Sequence, residues 1–90
     1  MDYLKNLVSV IRARRESSPD KSYTKKLLMD KKLSIEKVKE EVSELIESIE
    51  KNSNKIHESA DVLYHYLVLL EGNDIKIEDV IEELKKRQKK

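Results

Sequence analysis

Residues 55–71 read KIHESADVLYHYLVLLE, a stretch rich in apolar side chains. Its spacing predicts one helix that runs from about Lys55 to Glu71. The apolar residues of this helix point in nearly every direction around its axis: Ala60, Val62, Leu63, Leu67, Val68, Leu69 and Leu70. A helix that is apolar on all sides is usually buried at the centre of a protein. We therefore expect the other helices to pack around this one.

Two shorter helices are predicted in the N-terminal third of the chain. The first should follow an N-cap at Asp2 and end at about residue 14 or 15, where the polar segment 16–20 breaks it. The second should cover Tyr23 to Met29, with Ser22 as its cap. The apolar spacing that defines the first helix comes from Leu4, Leu7, Val8 and Ile11.

A third helix is predicted from an N-cap at Ser34 to about Lys51, before a turn at residues 52–54. Gly72 should occupy the position just after the central helix, where glycine is common. A last helix should then run into the basic end, residues 85–90. The apolar stripes of these two helices are Ile35, Val38, Val42, Leu45, Ile46 and Ile49, and Ile77, Val80, Ile81 and Leu84. The expected fold is an all-α bundle of four to five helices, in one domain that spans residues 1–90.

The composition limits the classes of protein to which the chain can belong. It has 90 residues, of which 41% are charged, with one glycine, one proline and no cysteine. Such a composition favours helices over sheets and excludes disulfide bonds. No apolar run approaches the roughly 20 residues of a membrane span, and the net charge of +1 argues against general nucleic-acid binding. We expect a cytoplasmic protein that binds neither membranes nor nucleic acids, and whose small core is stabilised by a metal or a partner subunit.

Acidic residues form a first cluster on the third helix, at Glu40, Glu41 and Glu44. Because 18 of the 90 residues are acidic, this cluster is weak evidence by itself. The alternative interpretation is a solvated helix face whose carboxylates pair with Lys37 or Lys39.

A second polar cluster lies on the helix that is predicted to be buried. Glu58, Asp61 and His65 share one stripe of it, and no lysine or arginine occurs between Ile56 and Glu71 to neutralise the carboxylates. Buried charges must be paired or must bind a metal. The short turn at residues 52–54 makes the two acidic helices antiparallel neighbours, so their carboxylates can converge on one cation.

The ligand types indicate which cation and which reaction to expect. Carboxylate oxygens without thiolates select hard cations, and Mg²⁺ is the usual one where phosphates complete the coordination. The predicted reaction is therefore Mg²⁺-dependent hydrolysis of a phosphoanhydride. For His65 a hydrogen-bonded interior position is favoured over direct metal ligation.

The residues that carry these clusters also resemble a known family. Glu40-Glu41-x-x-Glu44 followed by Glu58-x-x-Asp61 resembles the signature of the MazG-like all-α nucleoside triphosphate pyrophosphatases. Further segments resemble, more specifically, the phosphoribosyl-ATP pyrophosphatase family of histidine biosynthesis. These segments are Ser22-Tyr23-Thr24 with Leu27, Lys37-Val38-x-Glu40-Glu41, Asp61-x-Leu63-Tyr64-His65-x-Leu67-Val68-x-Leu70, and Val80 to Leu84 with Arg87. The match covers essentially the whole chain in the right order.

The resemblance implies an activity and an assembly. The reaction would be hydrolysis of 1-(5-phosphoribosyl)-ATP to 1-(5-phosphoribosyl)-AMP and pyrophosphate, the second step of L-histidine biosynthesis, with Mg²⁺ as cofactor. The chain would form a homodimer or higher homo-oligomer in which helices from more than one subunit wall each site. A functional pairing with the phosphoribosyl-AMP cyclohydrolase, which acts next in the pathway, is also left open.

The resemblance also implies roles for individual residues. The metal ligands and catalytic residues are expected to be Glu41, Glu44, Glu58 and Asp61, with Glu40 as a further ligand or a supporting group. The residues expected to bind substrate or to fix the site are Arg14, Ser22, Tyr23, Lys37 and His65. Structural roles remain open for the second group, because Ser22 can simply cap a helix, Tyr23 can fill the core and Lys37 can pair with Glu41.

Two other functions remain open at this point. A housekeeping pyrophosphatase of the same superfamily would share the metal site but would act on noncanonical nucleoside triphosphates. A non-catalytic helical dimerisation module would have solvated acidic residues and no response to Mg²⁺.

Overall fold

The computed structural model describes residues 2–88, and all regular structure in that part of the chain is helical. This confirms the all-α class. The helices are α1 (Asp2–Ala13), α2 (Tyr23–Met29), α3 (Lys31–Lys51), α4 (Lys55–Gly72) and α5 (Ile77–Gln88), with one 3₁₀ turn at Arg14–Glu16 after α1. None of these helices is both long enough and apolar enough to cross a lipid bilayer.

An antiparallel hairpin of α3 and α4 forms the largest helix contact in the described chain. The turn that joins them uses two asparagines, Asn52 and Asn54, each with a φ of 56°. Asparagine tolerates this left-handed conformation better than most residues do. The amide of Ser53 also donates to the carbonyl of Ser48 at 3.0 Å, which satisfies one carbonyl at the end of α3. The turn therefore aligns the acidic parts of α3 and α4 side by side.

The apolar core lies at the other end of α4. Its buried members come from α1, α2 and the C-terminal half of α4: Val8, Ile11, Leu27, Leu67 and Val68. The N-terminal half of α4 is less buried than its apolar pattern predicted, since Ile56 is 87% exposed and Leu63 44% exposed. The reason is that α1 and α2 contribute to the core only beside the later turns of α4. The central helix is thus buried over half of its length within a single chain.

Two predicted helix ends were wrong. The helix α3 begins at Lys31 rather than after Ser34, because the side chain of Asp30 accepts a hydrogen bond from the amide of Leu33 at 3.0 Å. Aspartate caps helices as well as serine does, so the earlier cap extends the helix by a turn and leaves Ser34 buried inside it. Gly72 is the last residue of α4 and has no positive φ, whereas Asp74 has a φ of 58°.

An ion-pair network joins α1 and the 3₁₀ turn to α4 and α5. Glu71, which is buried, accepts a hydrogen bond from Nε of Arg12 at 2.9 Å, and its backbone carbonyl accepts one from Nη2 of Arg15 at 2.5 Å. The other side of the Arg12 guanidinium contacts Glu78 at 2.9 and 3.2 Å. Hydrogen bonding to Arg12 lowers the pKa of Glu78 to about 2, so this carboxylate stays ionised at neutral pH. The network fixes the turn that follows α1.

The core predicts a contrast between two residues of α2. Leu27 is 1% exposed and Met29 is 63% exposed. Leu27→Ala should lower the free energy of unfolding by about 2–5 kcal/mol, because it leaves a cavity in the core. Met29→Ala should change it by less than about 0.5 kcal/mol. Urea unfolding of both variants at one protein concentration measures the contrast, and equal losses would contradict this account of the core.

Candidate metal centre

Three acidic side chains meet across the α3–α4 hairpin. Glu41 and Glu44 lie three residues apart on α3, and Glu58 faces them from the first turns of α4. One carboxylate oxygen of each lies within 4.8 Å of the other two. The structure therefore brings together, from two helices, three of the residues that the sequence predicted as metal ligands.

A second group of three lies on α4 and shares a member with the first. It consists of His57, Glu58 and Asp61, whose candidate ligand atoms also lie within 4.8 Å of one another. Nε2 of His57 is 3.4 Å from Oδ2 of Asp61. The sequence reasoning missed His57, although its position four residues before Asp61 was a readable signal, since residues at that spacing share a helix face. Glu58 belongs to both groups and joins them into one candidate centre.

Two oxygens of this centre are buried without a hydrogen-bond partner within residues 2–88. They are Oε2 of Glu41 and Oε2 of Glu58. A buried polar atom that has lost water and gained no partner is destabilising, and an ionised one more so. Burial is the largest cause that raises the pKa of Glu41 and of Glu58, and the neighbouring Glu44 raises both further. A divalent cation would satisfy both oxygens and would favour their ionised forms.

The donor set is consistent with a hard divalent cation. The carboxylates of Glu41, Glu44, Glu58 and Asp61 offer oxygen ligands from two helices, and no cysteine is present in the chain. Mg²⁺ and Mn²⁺ accept such oxygen-rich sites. The residues present therefore fit a divalent metal.

Glu40 and Lys37 lie outside the two acidic groups. Nζ of Lys37 is 3.5 Å from Oε2 of Glu40, and this carboxylate raises the pKa of Lys37. The neighbour of Lys37 is thus Glu40 rather than Glu41. Because both side chains are partly or largely exposed, the pair can open at little cost when another anion approaches.

Tyr23 and His65 join α2 to α4 beside Asp61. Nδ1 of His65 lies 2.9 Å from the backbone carbonyl of Asp61, and Nε2 lies 3.2 Å from the hydroxyl of Tyr23. A carbonyl only accepts hydrogen bonds, so Nδ1 carries the proton; in a neutral ring Nε2 then accepts from Tyr23. His65 is buried and both of its nitrogens are engaged, as expected for a hydrogen-bonded interior histidine. A hydrogen bond between the hydroxyls of Thr24 and Tyr64 joins the same two helices.

Within residues 2–88, neither Ser22 nor Arg14 forms a hydrogen bond or an ion pair with the carboxylates of the candidate centre. The side chain of Ser22 accepts a hydrogen bond from the amide of Lys25 at 3.1 Å, so it caps α2 as predicted. Arg14 is exposed in the 3₁₀ turn, next to Arg15, which forms an ion pair with Glu71. These positions support the structural role for Ser22 and leave the side chain of Arg14 accessible to an anion.

A cleft of about 280 Å³ opens beside the carboxylates at the turn of the hairpin. It is bounded by Glu44, Glu47, Ser48 and Lys51 of α3, by Ser53 and Asn54 of the turn and by Glu58 of α4. Another cleft, of about 310 Å³, lies between α1 and α5 and includes none of the carboxylates of the candidate centre. The polar cleft can therefore place a charged ligand against Glu44 and Glu58 of the candidate centre.

Comparison with known proteins gives a consistent result over nearly the whole chain. The sequence model of the family described as phosphoribosyl-ATP pyrophosphohydrolase matches residues 4–88. A phosphoribosyl-ATP pyrophosphatase of Dechloromonas aromatica is 42% identical over 90 residues, which cover 97% of this chain and 83% of the relative. One of Allorhizobium ampelinum is 44% identical over 89 residues, which cover 93% of this chain and 84% of the relative.

A longer relative matches as well. The histidine biosynthesis bifunctional protein HisIE of Pyrococcus furiosus is 41% identical over 90 residues. The match covers 99% of this chain but only 43% of that protein. This chain is therefore similar to one part of a bifunctional protein.

The raised pKa of Glu41 leads to a prediction for the metal-free protein, in which Glu41→Gln removes the charge of this side chain. Since the pKa of Glu41 is raised on folding, its ionised form destabilises the metal-free protein at neutral pH. Glu41→Gln should therefore melt at the same temperature as the unaltered chain or higher in EDTA. The difference in melting temperature between the two proteins should shrink as the pH falls from the raised pKa of Glu41 in the folded chain toward its pKa in the unfolded chain, about 4.3. Mg²⁺ should raise the melting temperature of the unaltered chain more than that of the variant.

The matched control for this prediction is Glu50→Gln, on the same helix but outside both carboxylate groups. It should leave the Mg²⁺ response unchanged. A clear loss of stability for Glu41→Gln in EDTA at pH 7 would contradict the prediction.

Proposed function

This chain belongs to the phosphoribosyl-ATP pyrophosphohydrolase family, and we propose that Mg²⁺ held at its candidate centre supports the hydrolysis of 1-(5-phosphoribosyl)-ATP. The products are 1-(5-phosphoribosyl)-AMP and pyrophosphate, in the second step of L-histidine biosynthesis. The observation that carries the proposal is the pair of buried, partnerless oxygens on Glu41 and Glu58, within a group of carboxylates from two helices.

The metal ligands in this proposal are Glu41, Glu44, Glu58 and Asp61. Bound Mg²⁺ would neutralise charge on the phosphate oxygens and make an attacking water more acidic. One carboxylate of the group would accept the proton of that water as the bond between the α- and β-phosphates breaks. The hairpin holds these carboxylates on two rigid helices, so their mutual positions need little rearrangement when substrate binds.

The cationic residues of the proposal are Lys37 and Arg14. The triphosphate carries more negative charge than its metal ions neutralise, so additional cations favour its binding. Lys37 would exchange Glu40 for a phosphate oxygen, since the present separation of 3.5 Å is a weak pairing. Tyr23 and His65 would keep α2 in place against the Asp61 turn of α4.

The activity is tested with purified protein, Mg²⁺ and a panel of substrates. We expect turnover of phosphoribosyl-ATP and little turnover of ordinary or modified nucleoside triphosphates. Glu41→Gln and Asp61→Asn should each lower kcat at least about 10- to 100-fold, because each removes a metal ligand. Glu50→Gln on α3 is the control and should retain full activity.

Two results would overturn this function. Turnover of the triphosphate panel without turnover of phosphoribosyl-ATP would instead support a housekeeping pyrophosphatase. No turnover of any substrate, together with no effect of Mg²⁺ on stability, would support a non-catalytic dimerisation module.

We also propose that the chain forms a homodimer through the outer face of the α3–α4 hairpin. Apolar side chains on this face are exposed in the single chain: Ile35, Val42, Ile46 and Ile49 on α3, and Ile56 and Leu63 on α4. Exposed apolar side chains that recur at helical spacing favour association, and a chain of 90 residues gains stability from a shared core. Functional pairing with the phosphoribosyl-AMP cyclohydrolase is proposed as well, because relatives named bifunctional proteins of histidine biosynthesis contain a matching part.

If the dimer forms through this face, substitutions at two equally exposed residues should affect the oligomeric state differently. Ile46 on α3 and Leu84 on α5 are both 54% exposed. Ile46→Glu should yield monomers, because it places a charge in the shared face, whereas Leu84→Glu should leave the dimer intact. Light scattering after size-exclusion chromatography measures the mass of each variant. A monomeric unaltered chain, or a dimeric Ile46→Glu variant, would contradict the proposed face.

A further inference from the structure

His57 stands at the edge of the candidate centre with an imidazole nitrogen that the proposed reaction does not use. It is the third residue of α4, directly before Glu58 and four residues before Asp61. Its side chain is 73% exposed, so the ring can turn toward either neighbour at little cost. The local sequence reads His57-Glu58-x-x-Asp61.

The spacing of His57 and Asp61 is one at which helices chelate metals. Two ligands at positions i and i+4 share a helix face, as the two histidines of the zinc-binding His-Glu-x-x-His pattern do. Ligand atoms at right angles around an ion, each about 2.1 Å from it, lie about 3.0 Å apart. Nε2 of His57 and Oδ2 of Asp61 are 3.4 Å apart, so a small rotation of either side chain would let both reach one cation.

This pair differs from the other i,i+4 pairs in the described chain. Lys51 with Glu47, and Arg87 with Glu83, are closer, at 2.6 and 3.0 Å, and they offer no third acidic or imidazole ligand. His57 and Asp61 are farther apart than a good hydrogen bond allows, and Glu58 completes a group of three. The Oε2 atom of Glu58 is buried and has no hydrogen-bond partner among residues 2–88. A surface ion pair between His57 and Asp61 would account for their separation but not for the third ligand or for the buried oxygen of Glu58.

The second histidine of the chain is not available for the same role. Both nitrogens of His65 are engaged, one by the carbonyl of Asp61 and the other by the hydroxyl of Tyr23. The chain has two histidines, so His57 is the one imidazole that can turn toward a cation without breaking an interior hydrogen bond.

We propose that His57 supplies a nitrogen ligand to a cation that it shares with Glu58 and Asp61. Imidazole is a softer ligand than a carboxylate, and it favours divalent first-row transition metals over Mg²⁺. This part of the centre would therefore prefer Mn²⁺ or Co²⁺, while the carboxylates of Glu41 and Glu44 suit Mg²⁺. The inference rests on the proposed function, because it takes the carboxylate groups to be a cation site.

The test is electron spin-echo spectroscopy of the full chain with Mn²⁺, whose signal is modulated when a ligand nitrogen lies in its coordination shell. We expect nitrogen modulation in the unaltered chain and its loss in His57→Gln. Lys55→Gln, on the same exposed turn of α4, is the matched control and should keep the modulation. Thermal unfolding of each variant verifies that it is folded.

Calorimetric titrations give an independent second measurement. His57→Gln should weaken Co²⁺ binding by about tenfold or more and should change Mg²⁺ affinity by less than about twofold. Equal changes for both cations would overturn the inference, as would nitrogen modulation that survives in His57→Gln.

The outcomes separate this inference from the function on which it rests. If Mn²⁺ binds the unaltered chain without nitrogen modulation, His57 is not a ligand, and the carboxylate centre stands. If Mn²⁺ does not bind the unaltered chain at all, both the inference and the proposed metal-dependent function fail.

Discussion

The carboxylates that crowd together across the α3–α4 hairpin impose an electrostatic cost that the rest of the fold must balance. Glu41, Glu44 and Glu58 each bring one carboxylate oxygen within 4.8 Å of the other two. Glu41 and Glu58 also each have a buried Oε2 atom that has no hydrogen-bond partner in the described part of the chain. Like charges at such distances repel, and burial adds the loss of hydration. Without a cation, the crowded carboxylates therefore lower the stability of the folded chain. With a divalent cation, the same carboxylates would act as its ligands.

The remainder of the fold compensates for this cost away from the site. The buried core of Ile11, Leu27 and Val68 lies along the C-terminal half of α4, and the network of Arg12, Arg15 and Glu71 closes the same end. The N-terminal half of α4 carries the acidic residues and contributes little to that core. One helix, α4, can therefore carry the acidic residues on its N-terminal half and contribute to the core with its C-terminal half, since the two halves contact different neighbours. The exposed apolar face of α3 and α4 is where a second subunit would add the stability that a small chain lacks.

Sequence patterns predicted the features that depend on local spacing. The helix Tyr23–Met29 with its cap at Ser22, the turn at residues 52–54 and the convergence of Glu41, Glu44 and Glu58 all follow from neighbours along one helix or across one short turn. The start of α3 was harder to predict, because two residues near it are suitable N-caps. Asp30 and Ser34 are both good caps, and only the structure shows that Asp30 is used. The partial exposure of α4 was also missed, because an apolar pattern predicts burial but cannot say whether the same chain or a second copy provides it.

The centre itself was only partly predictable. The carboxylates were recognised by their number and by the helix that carries them, whereas the spacing of His57 and Asp61 was overlooked, because four residues on a helix also separate many ordinary surface pairs. The structure places the two side chains 3.4 Å apart. Anomalous diffraction from crystals of the chain soaked in Mn²⁺ would show whether one cation joins α3 to α4. We expect an anomalous peak within coordination distance, about 2.2 Å, of carboxylate oxygens from both Glu41 and Glu58. A fully soaked crystal without that peak, with the two oxygens paired instead to a lysine or arginine, would contradict this prediction.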